Sequence, residues 1–96
     1  MQKALYLSLV QPALDLVVKK HEDYNGGIVQ LQDYFPFGDI SYIQMLHVKT
    51  TRLVSLGQQM QADPNMAPNY ESIEETLYDL INYAVFYLAW LKAAGE

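Results

Sequence analysis

Two basic residues have a spacing that suits the binding of a phosphorylated ligand. Lys49 and Arg52 are three residues apart in a segment with helical patterning, which places them on one face. Arg can hold phosphate oxygens through two parallel hydrogen bonds, and Lys adds a point charge. The open alternative makes them ion-pair partners for acidic residues of another helix. The same side chains can serve both roles, in ligand-free and ligand-bound states.

Acidic residues form a second group with helical spacing. Glu71, Glu75 and Asp79 follow one another at steps of four residues. Asn82 lies about one turn further along the same stripe. Three carboxylates in one stripe suit one Mg²⁺ ion, particularly across a dimer, because Mg²⁺ prefers oxygen ligands. Glu71, Glu75 and Asp79 are therefore the candidate metal ligands, and Asn82 is a candidate contact for a nucleotide.

Aromatic and basic residues nearer the N-terminus supply further candidate nucleotide contacts. They are Lys20, His21, Tyr24, Phe35 and Phe37. Phe35 and Phe37 belong to a cluster that cannot continue a helix through Pro36. This cluster either plugs one end of the bundle or stacks on a base, since every base presents a π-face. His21 is either a helix-end residue packed on the core or a phosphate contact, whereas His47 lies off the Lys49 face and is expected to be structural.

The spacing of apolar residues predicts an all-α fold, a small bundle of three main helices in a single domain, residues 1–96. The helices are predicted over about residues 4–23, over residues 39–56 and from residue 70 to beyond residue 90, with residues 58–69 as a surface linker. Asp39 is expected to be the N-cap of the second helix and Gly57 to end it. Leu46, Thr50, Leu53 and Gly57 form a narrow line that permits the close approach of another helix. In the first helix the expected buried residues are Val10, Ala13, Leu14 and Val17.

The third predicted helix carries two stripes. The aliphatic stripe is expected to face the core and consists of Ile73, Leu77, Leu80, Ile81, Ala84, Leu88 and Leu91. The acidic stripe, roughly opposite, runs into Phe86 and Trp90, with Tyr83 and Tyr87 beside them. A helix that is apolar all round must be covered on both sides, either by its own chain or by a second copy. The sequence therefore predicts a homo-oligomer through the helix that bears Phe86 and Trp90.

Composition narrows the classes of partner. A net charge of −5 argues against binding duplex nucleic acid, because such binding rests on many Lys and Arg contacts to phosphates. The chain has no cysteine, which excludes a disulfide or a thiolate metal site. The apolar run near the N-terminus is short and lacks a cleavage site, and no stretch is long enough to span a bilayer. We therefore expect a cytoplasmic protein without a membrane partner.

Three motifs resemble the nucleotide-modification-associated domain 1 family, which is similar to the all-α nucleoside-triphosphate pyrophosphohydrolases (MazG-like and dimeric dUTPase-like enzymes). Residues 71–83 match Glu-Ser-x-x-Glu-Thr-x-x-Asp-Leu-x-Asn-Tyr. Lys20 with Asp23-Tyr24 resembles the Lys-x-x-Asp-Tyr-Gly element, with Asn25 in the place of its glycine. Residues 49–53 resemble the Lys-x-x-Arg-Leu element. Together these motifs span most of the chain from Lys20 onward.

The resemblance implies a small-molecule nucleotide as partner and leaves two main hypotheses. In the first, a homo-oligomer binds or sequesters a nucleotide without cleaving it: Lys20, Lys49 and Arg52 hold phosphates, and Tyr24, Phe35 or Phe37 stacks on the base. In the second, the protein is a Mg²⁺-dependent pyrophosphohydrolase, with Glu71, Glu75 and Asp79 as catalytic metal ligands and a water molecule as nucleophile. Related MazG-like enzymes carry a second acidic pair, and residues 40–56 contain no carboxylate. Binding is therefore favoured over hydrolysis, and a purely structural helical oligomer is the third alternative.

Overall fold

Three α-helices form the protein in a computed structural model that describes residues 2–24, 31–63, 65 and 69–93, with Tyr24 described by its backbone alone. α1 is Gln2–Tyr24, α2 is Asp39–Ala62 and α3 is Tyr70–Ala93. A short 3-10 helix, Leu31–Tyr34, lies between α1 and α2. The predicted all-α class with three main helices is confirmed. The sequence Tyr24-Asn25-Gly26-Gly27 also predicts a tight turn after the first helix, and residues 25–27 lie outside the described residues.

α2 and α3 are antiparallel neighbours with a regular register. A Cβ atom on Gly38 would approach the Trp90 ring, Lys49 contacts Asp79, and Arg52 contacts Thr76. In these three pairs the residue number rises along α2 by as much as it falls along α3. This register brings the basic face of α2 onto the acidic stripe of α3.

The prediction that Gly57 ends α2 is wrong. The helix continues to Ala62, where the Asp63 backbone N–H donates to the Gln59 carbonyl. Residues 58–62 are mostly good helix formers, so one interior glycine, at about 1 kcal/mol, does not stop the helix. No helix uses the close approach that Gly57 permits, because nothing in the described part of the chain lies within 4 Å of where its Cβ would be. The linker predicted from residue 58 therefore begins at Asp63, and its residues 64 and 66–68 lie outside the described part.

The helix caps differ from the predicted ones. Gly38, with φ of 61°, is the N-cap of α2, and Asp39 is the first helical residue. The Asp39 carboxylate instead accepts a hydrogen bond of 2.7 Å from the Tyr87 hydroxyl, so it ties α2 to α3. At the start of α3 the Asn69 side chain accepts a hydrogen bond of 3.2 Å from the Ser72 N–H. Asn69 is therefore an N-cap that the sequence pattern did not single out.

The core is an aromatic cluster built on α2, α3 and the segment before α2. The Phe35 ring stacks on Tyr42 at a centroid distance of 4.1 Å, and Tyr42 stacks on Tyr87 at 5.2 Å. Phe86 is buried in the same cluster, and Trp90 packs against it. The chain itself covers the rings for which the sequence predicted a second copy. Trp90 and Tyr87 stay half-buried in the single chain, so the oligomer through this helix stays a prediction.

The burial of α3 differs in part from the expected pattern. Thr76, Asn82 and Phe86, on the acidic and aromatic side, are buried. Leu77 and Leu88, on the aliphatic side, are exposed, so the assignment of that stripe to the core is wrong for these residues. The acidic and aromatic side of α3 is buried because the aromatic and basic side chains of α2 pack against it. In α1, Ala13 is buried and Val17 is half-buried, whereas Val10 and Leu14 are exposed. No helix in the described part of the chain is long and apolar enough to cross a membrane.

Candidate functional site

The two basic residues of α2 point at the polar stripe of α3. The Lys49 Nζ atom lies 3.2 Å from the Asp79 Oδ2 atom. The Arg52 Nε–H donates a hydrogen bond of 3.1 Å to the Thr76 hydroxyl, which in turn donates one of 2.8 Å to the Ser72 carbonyl. The ion-pair alternative thus holds for Lys49, and Arg52 is held by a hydroxyl group rather than by a carboxylate.

These contacts leave both cations available to an anion. The Lys49 and Asp79 side chains are 22% and 34% exposed, and an ion pair this open to water contributes at most about 1 kcal/mol. A phosphate group can therefore compete with Asp79 for Lys49. Arg52 is exposed, and its two terminal nitrogens form no hydrogen bond to any described residue. Its planar fork can grip two phosphate oxygens while Nε stays bonded to Thr76.

Lys20 lies at a cavity with mostly aromatic walls. The cavity has a volume of about 200 Å³ and is lined by Lys20, Leu31, Tyr34, Phe35, Met45, Tyr83 and Phe86. Lys20 is half-buried and forms no ion pair or hydrogen bond with any described residue. An unneutralised cation beside aromatic walls attracts an anionic ligand that also carries an apolar, planar part.

The other aromatic and basic candidates for nucleotide contacts differ in how far their side chains are buried. Phe35 is buried against Tyr42, as the plug alternative predicts, so it is a wall of the cavity and not an open stacking surface. Phe37 is 78% exposed. His21 is exposed at the end of α1 and lines a second cavity, of about 180 Å³, together with the core residues Tyr42 and Phe86. His47 is exposed on α2, and the Tyr24 side chain lies outside the described residues.

Asn82 is the most unusual polar residue of α3. Its side chain is buried, with 1% of the residue exposed, yet neither Nδ2 nor Oδ1 has a hydrogen-bond partner among the described residues. It lies on the inner side of α3, one turn from Asp79 and one turn from Phe86. Buried amides are nearly always bonded, and an unpaired one costs about 1–3 kcal/mol. A buried polar group of this kind requires an explanation, such as a water molecule, an ion or a functional role.

The carboxylates of α3 do not form a metal site within one chain. Glu71 and Asp79 are separated by eight residues, or about 12 Å along a helix, which is too far for one ion to bind both. In the described ranges no three side chains of His, Asp or Glu lie close enough together to hold a metal ion. Glu75 and Asp79 instead line a cavity of about 400 Å³ with Pro12, Ala13, Leu16 and Tyr78. The three-carboxylate Mg²⁺ site predicted from the sequence is therefore not assembled in the single chain.

The structure adds residues that the sequence did not single out. Tyr34 and Tyr83 line the cavity that contains Lys20, and Thr76 positions Arg52. The pattern did contain a signal for Thr76, since Lys49 and Arg52 are three residues apart, as are Thr76 and Asp79. An antiparallel pairing of the two helices that joins Lys49 to Asp79 necessarily places Arg52 beside Thr76.

Comparison with known proteins found no matching family model, no matching curated protein and no matching solved structure. The resemblance of the three motifs to the nucleotide-modification-associated domain 1 family therefore stays a prediction from the motifs alone.

Proposed function

We propose that this chain binds a phosphorylated nucleotide and releases it intact. The observation that carries the proposal is the half-buried Lys20 at the aromatic cavity between α1, α2 and α3, which has no ion-pair or hydrogen-bond partner among the described residues. Ligand pockets usually measure about 300–1,000 Å³, so a cavity of about 200 Å³ suits one part of a nucleotide, the base, with the phosphates outside.

The cavity and the basic row of α2 are adjacent along both helices. Met45 and Tyr83 line the cavity, and one turn beyond them lie Lys49 and Asp79 respectively. A base held by the aromatic walls therefore has its phosphates within reach of Lys20, Lys49 and Arg52. These cations make the region locally positive in a chain whose net charge is −5.

Asn82 supports the same ligand class. A primary amide offers a donor and an acceptor side by side, which is the pattern that the edges of bases present. The buried and unpaired Asn82 amide lies at the level of α3 between Asp79 and the cavity residue Phe86. A base edge would supply its missing partners and would add selectivity among bases. Binding without cleavage is favoured because residues 40–56 contain no carboxylate for the second acidic pair that MazG-like enzymes carry.

The test is calorimetric titration with nucleoside mono- and triphosphates, with and without Mg²⁺, followed by analysis of the recovered ligand. We expect metal-independent binding with the ligand intact. Lys20→Ala should weaken affinity about ten-fold, the loss of roughly 1.4 kcal/mol that one charged contact carries. Lys19→Ala is the matched control, because it removes the same charge from the neighbouring, exposed position and should leave the affinity nearly unchanged.

Two results would refute this function. Equal affinities for the Lys19→Ala and Lys20→Ala variants would mean that the cavity is not the binding site. The appearance of pyrophosphate only when Mg²⁺ is present would replace binding with hydrolysis, and Asp79→Ala should then abolish that reaction.

A further inference from the structure

α1 and α3 together form an aliphatic surface on the side of α3 that faces away from α2. We call it the aliphatic face. In α1 it consists of Leu7, Val10, Leu14 and Val18, which recur at steps of three and four residues. In α3 it consists of Leu77, Ile81, Ala84 and Leu88, roughly opposite the stripe that packs on α2.

The two halves of this face are joined by a groove. It has a volume of about 230 Å³ and is lined by Leu9, Val10, Glu74, Leu77, Tyr78 and Ile81. Val10 comes from the α1 row, and Leu77 and Ile81 come from the α3 row. The two rows therefore flank one depression, and a ridge of side chains from another molecule can pack into it.

Most of this face is open in the single chain. Leu7 is 61% exposed, Val18 57%, Leu88 57% and Leu77 46%. By contrast, the buried apolar residues of the described part are few: Ala13, Phe35, Tyr42 and Phe86. A continuous apolar surface made from two helices marks a contact with another macromolecule.

The accessible area of the chain indicates how much contact is missing. The chain exposes 7180 Å², whereas a compact monomer of 11.0 kDa exposes about 5,600 Å². The radius of gyration, 15.9 Å, also exceeds the roughly 12.5 Å expected for a compact domain of this length. The excess area, about 1,600 Å² per chain, is more than the roughly 800 Å² per partner that a standard protein interface buries.

We propose that a second copy of this chain covers the aliphatic face. In a two-fold dimer each face meets its own equivalent, so α1 and α3 of both copies form a four-helix layer with aliphatic residues between them. None of the eight face residues is charged, and the groove contains a single carboxylate, that of Glu74. Burial of the aliphatic face in a dimer therefore removes few charged groups from water. This interface does not depend on nucleotide binding. It involves the helix predicted to form the oligomer, α3, but on the side of α3 opposite Phe86 and Trp90.

Single cysteines provide the decisive test, since the native chain has none. Leu88 and Val54 are 57% and 54% exposed in the single chain, and both lie within helices, but Val54 belongs to the outer side of α2. In a monomer, Leu88→Cys and Val54→Cys should react with a thiol reagent at similar rates. In the proposed dimer Leu88→Cys should react at least about ten-fold more slowly, because its reaction requires opening of the interface. Equal rates would overturn the proposal.

Light scattering of the unmodified protein at micromolar concentration supplies the second measurement. We expect the mass of two chains, each of 11.0 kDa. A monomer would overturn the proposal, and a monomer that co-floats with phosphatidylcholine vesicles would assign the face to a lipid surface instead. Leu88→Glu should yield monomers and Val54→Glu should remain dimeric. Dimers from both variants would also contradict the assignment of this face.

Discussion

At the scale of single residues, a substitution of Asn82 should change the stability of the fold and the affinity for nucleotide in opposite directions. Its buried amide has no hydrogen-bond partner among the described residues, so we expect it to destabilise the ligand-free fold. Asn82→Leu keeps the branching of the side chain and removes the polar atoms, so we expect the free energy of unfolding to rise by about 1–2 kcal/mol and nucleotide affinity to fall. Urea unfolding and calorimetric titration measure the two effects. Asn82→Asp is the control, since it buries a charge and should destabilise the protein. A Leu variant as unstable as the Asp variant would show that the amide has partners within the fold.

Another single residue, Tyr87, makes stability depend on alkaline pH. The hydrogen bond to Asp39 raises the pKa of Tyr87 above its ordinary value of 10.0, and desolvation and the Asp39 charge act in the same direction. Because the folded state holds this proton more tightly than the unfolded chain does, the stabilisation is complete below pH 10.0 and is lost as the pH rises through the raised pKa. We expect Tyr87→Phe to reduce the fall in stability above that pH, measured by urea unfolding.

Burial also raises the pKa of Tyr42, so part of the alkaline fall should persist in the Tyr87→Phe variant. Tyr70→Phe is the comparison, since Tyr70 is exposed at the start of α3. If Tyr70→Phe and Tyr87→Phe change the alkaline profile equally, the bond to Asp39 is not its cause.

At the scale of elements, two glycines of the α2 region should respond oppositely to the same substitution. Gly57 lies inside α2 with open space around its Cβ position, so Gly57→Ala should stabilise the protein by about 0.5–1 kcal/mol. Gly38 has a φ of 61° and faces the Trp90 ring at 3.3 Å, so Gly38→Ala should destabilise it. Thermal unfolding of both variants measures the difference. Loss of stability in Gly57→Ala would mean that α2 does not continue past Gly57.

The sequence predicted the helices well and their burial poorly, for a physical reason. Helix existence depends on local spacing and on the placement of Gly and Pro, which a single chain displays directly. Which stripe is buried depends on the partner helix. The aliphatic residues of α3 form the stronger apolar stripe, yet Tyr42 and Lys49 of α2 match the aromatic and acidic stripe instead. The spacing offered an ion pair with the acidic stripe as one of two alternatives for Lys49 and did not choose Asp79 among its carboxylates. The cavity at Lys20 depends on tertiary packing that no local pattern shows.

At the scale of the whole molecule, a small core and a large open face imply that folding and association are coupled. The buried apolar residues of the described chain number four, which supports only modest stability in isolation. If unfolding separates two chains, each ten-fold increase in protein concentration should raise the apparent stability by about 1.4 kcal/mol.

This dependence can be measured as the urea midpoint over a hundred-fold range of concentration, about two such steps. Val54→Glu should retain the dependence, because it lies outside the aliphatic face, and Leu88→Glu should lose it. A midpoint of the unmodified protein that stays constant with concentration would mean that the three helices are stable alone. The leucines and valines of α1 and α3 would then stay exposed to water in a stable monomer. Association would contribute nothing to the stability of the fold.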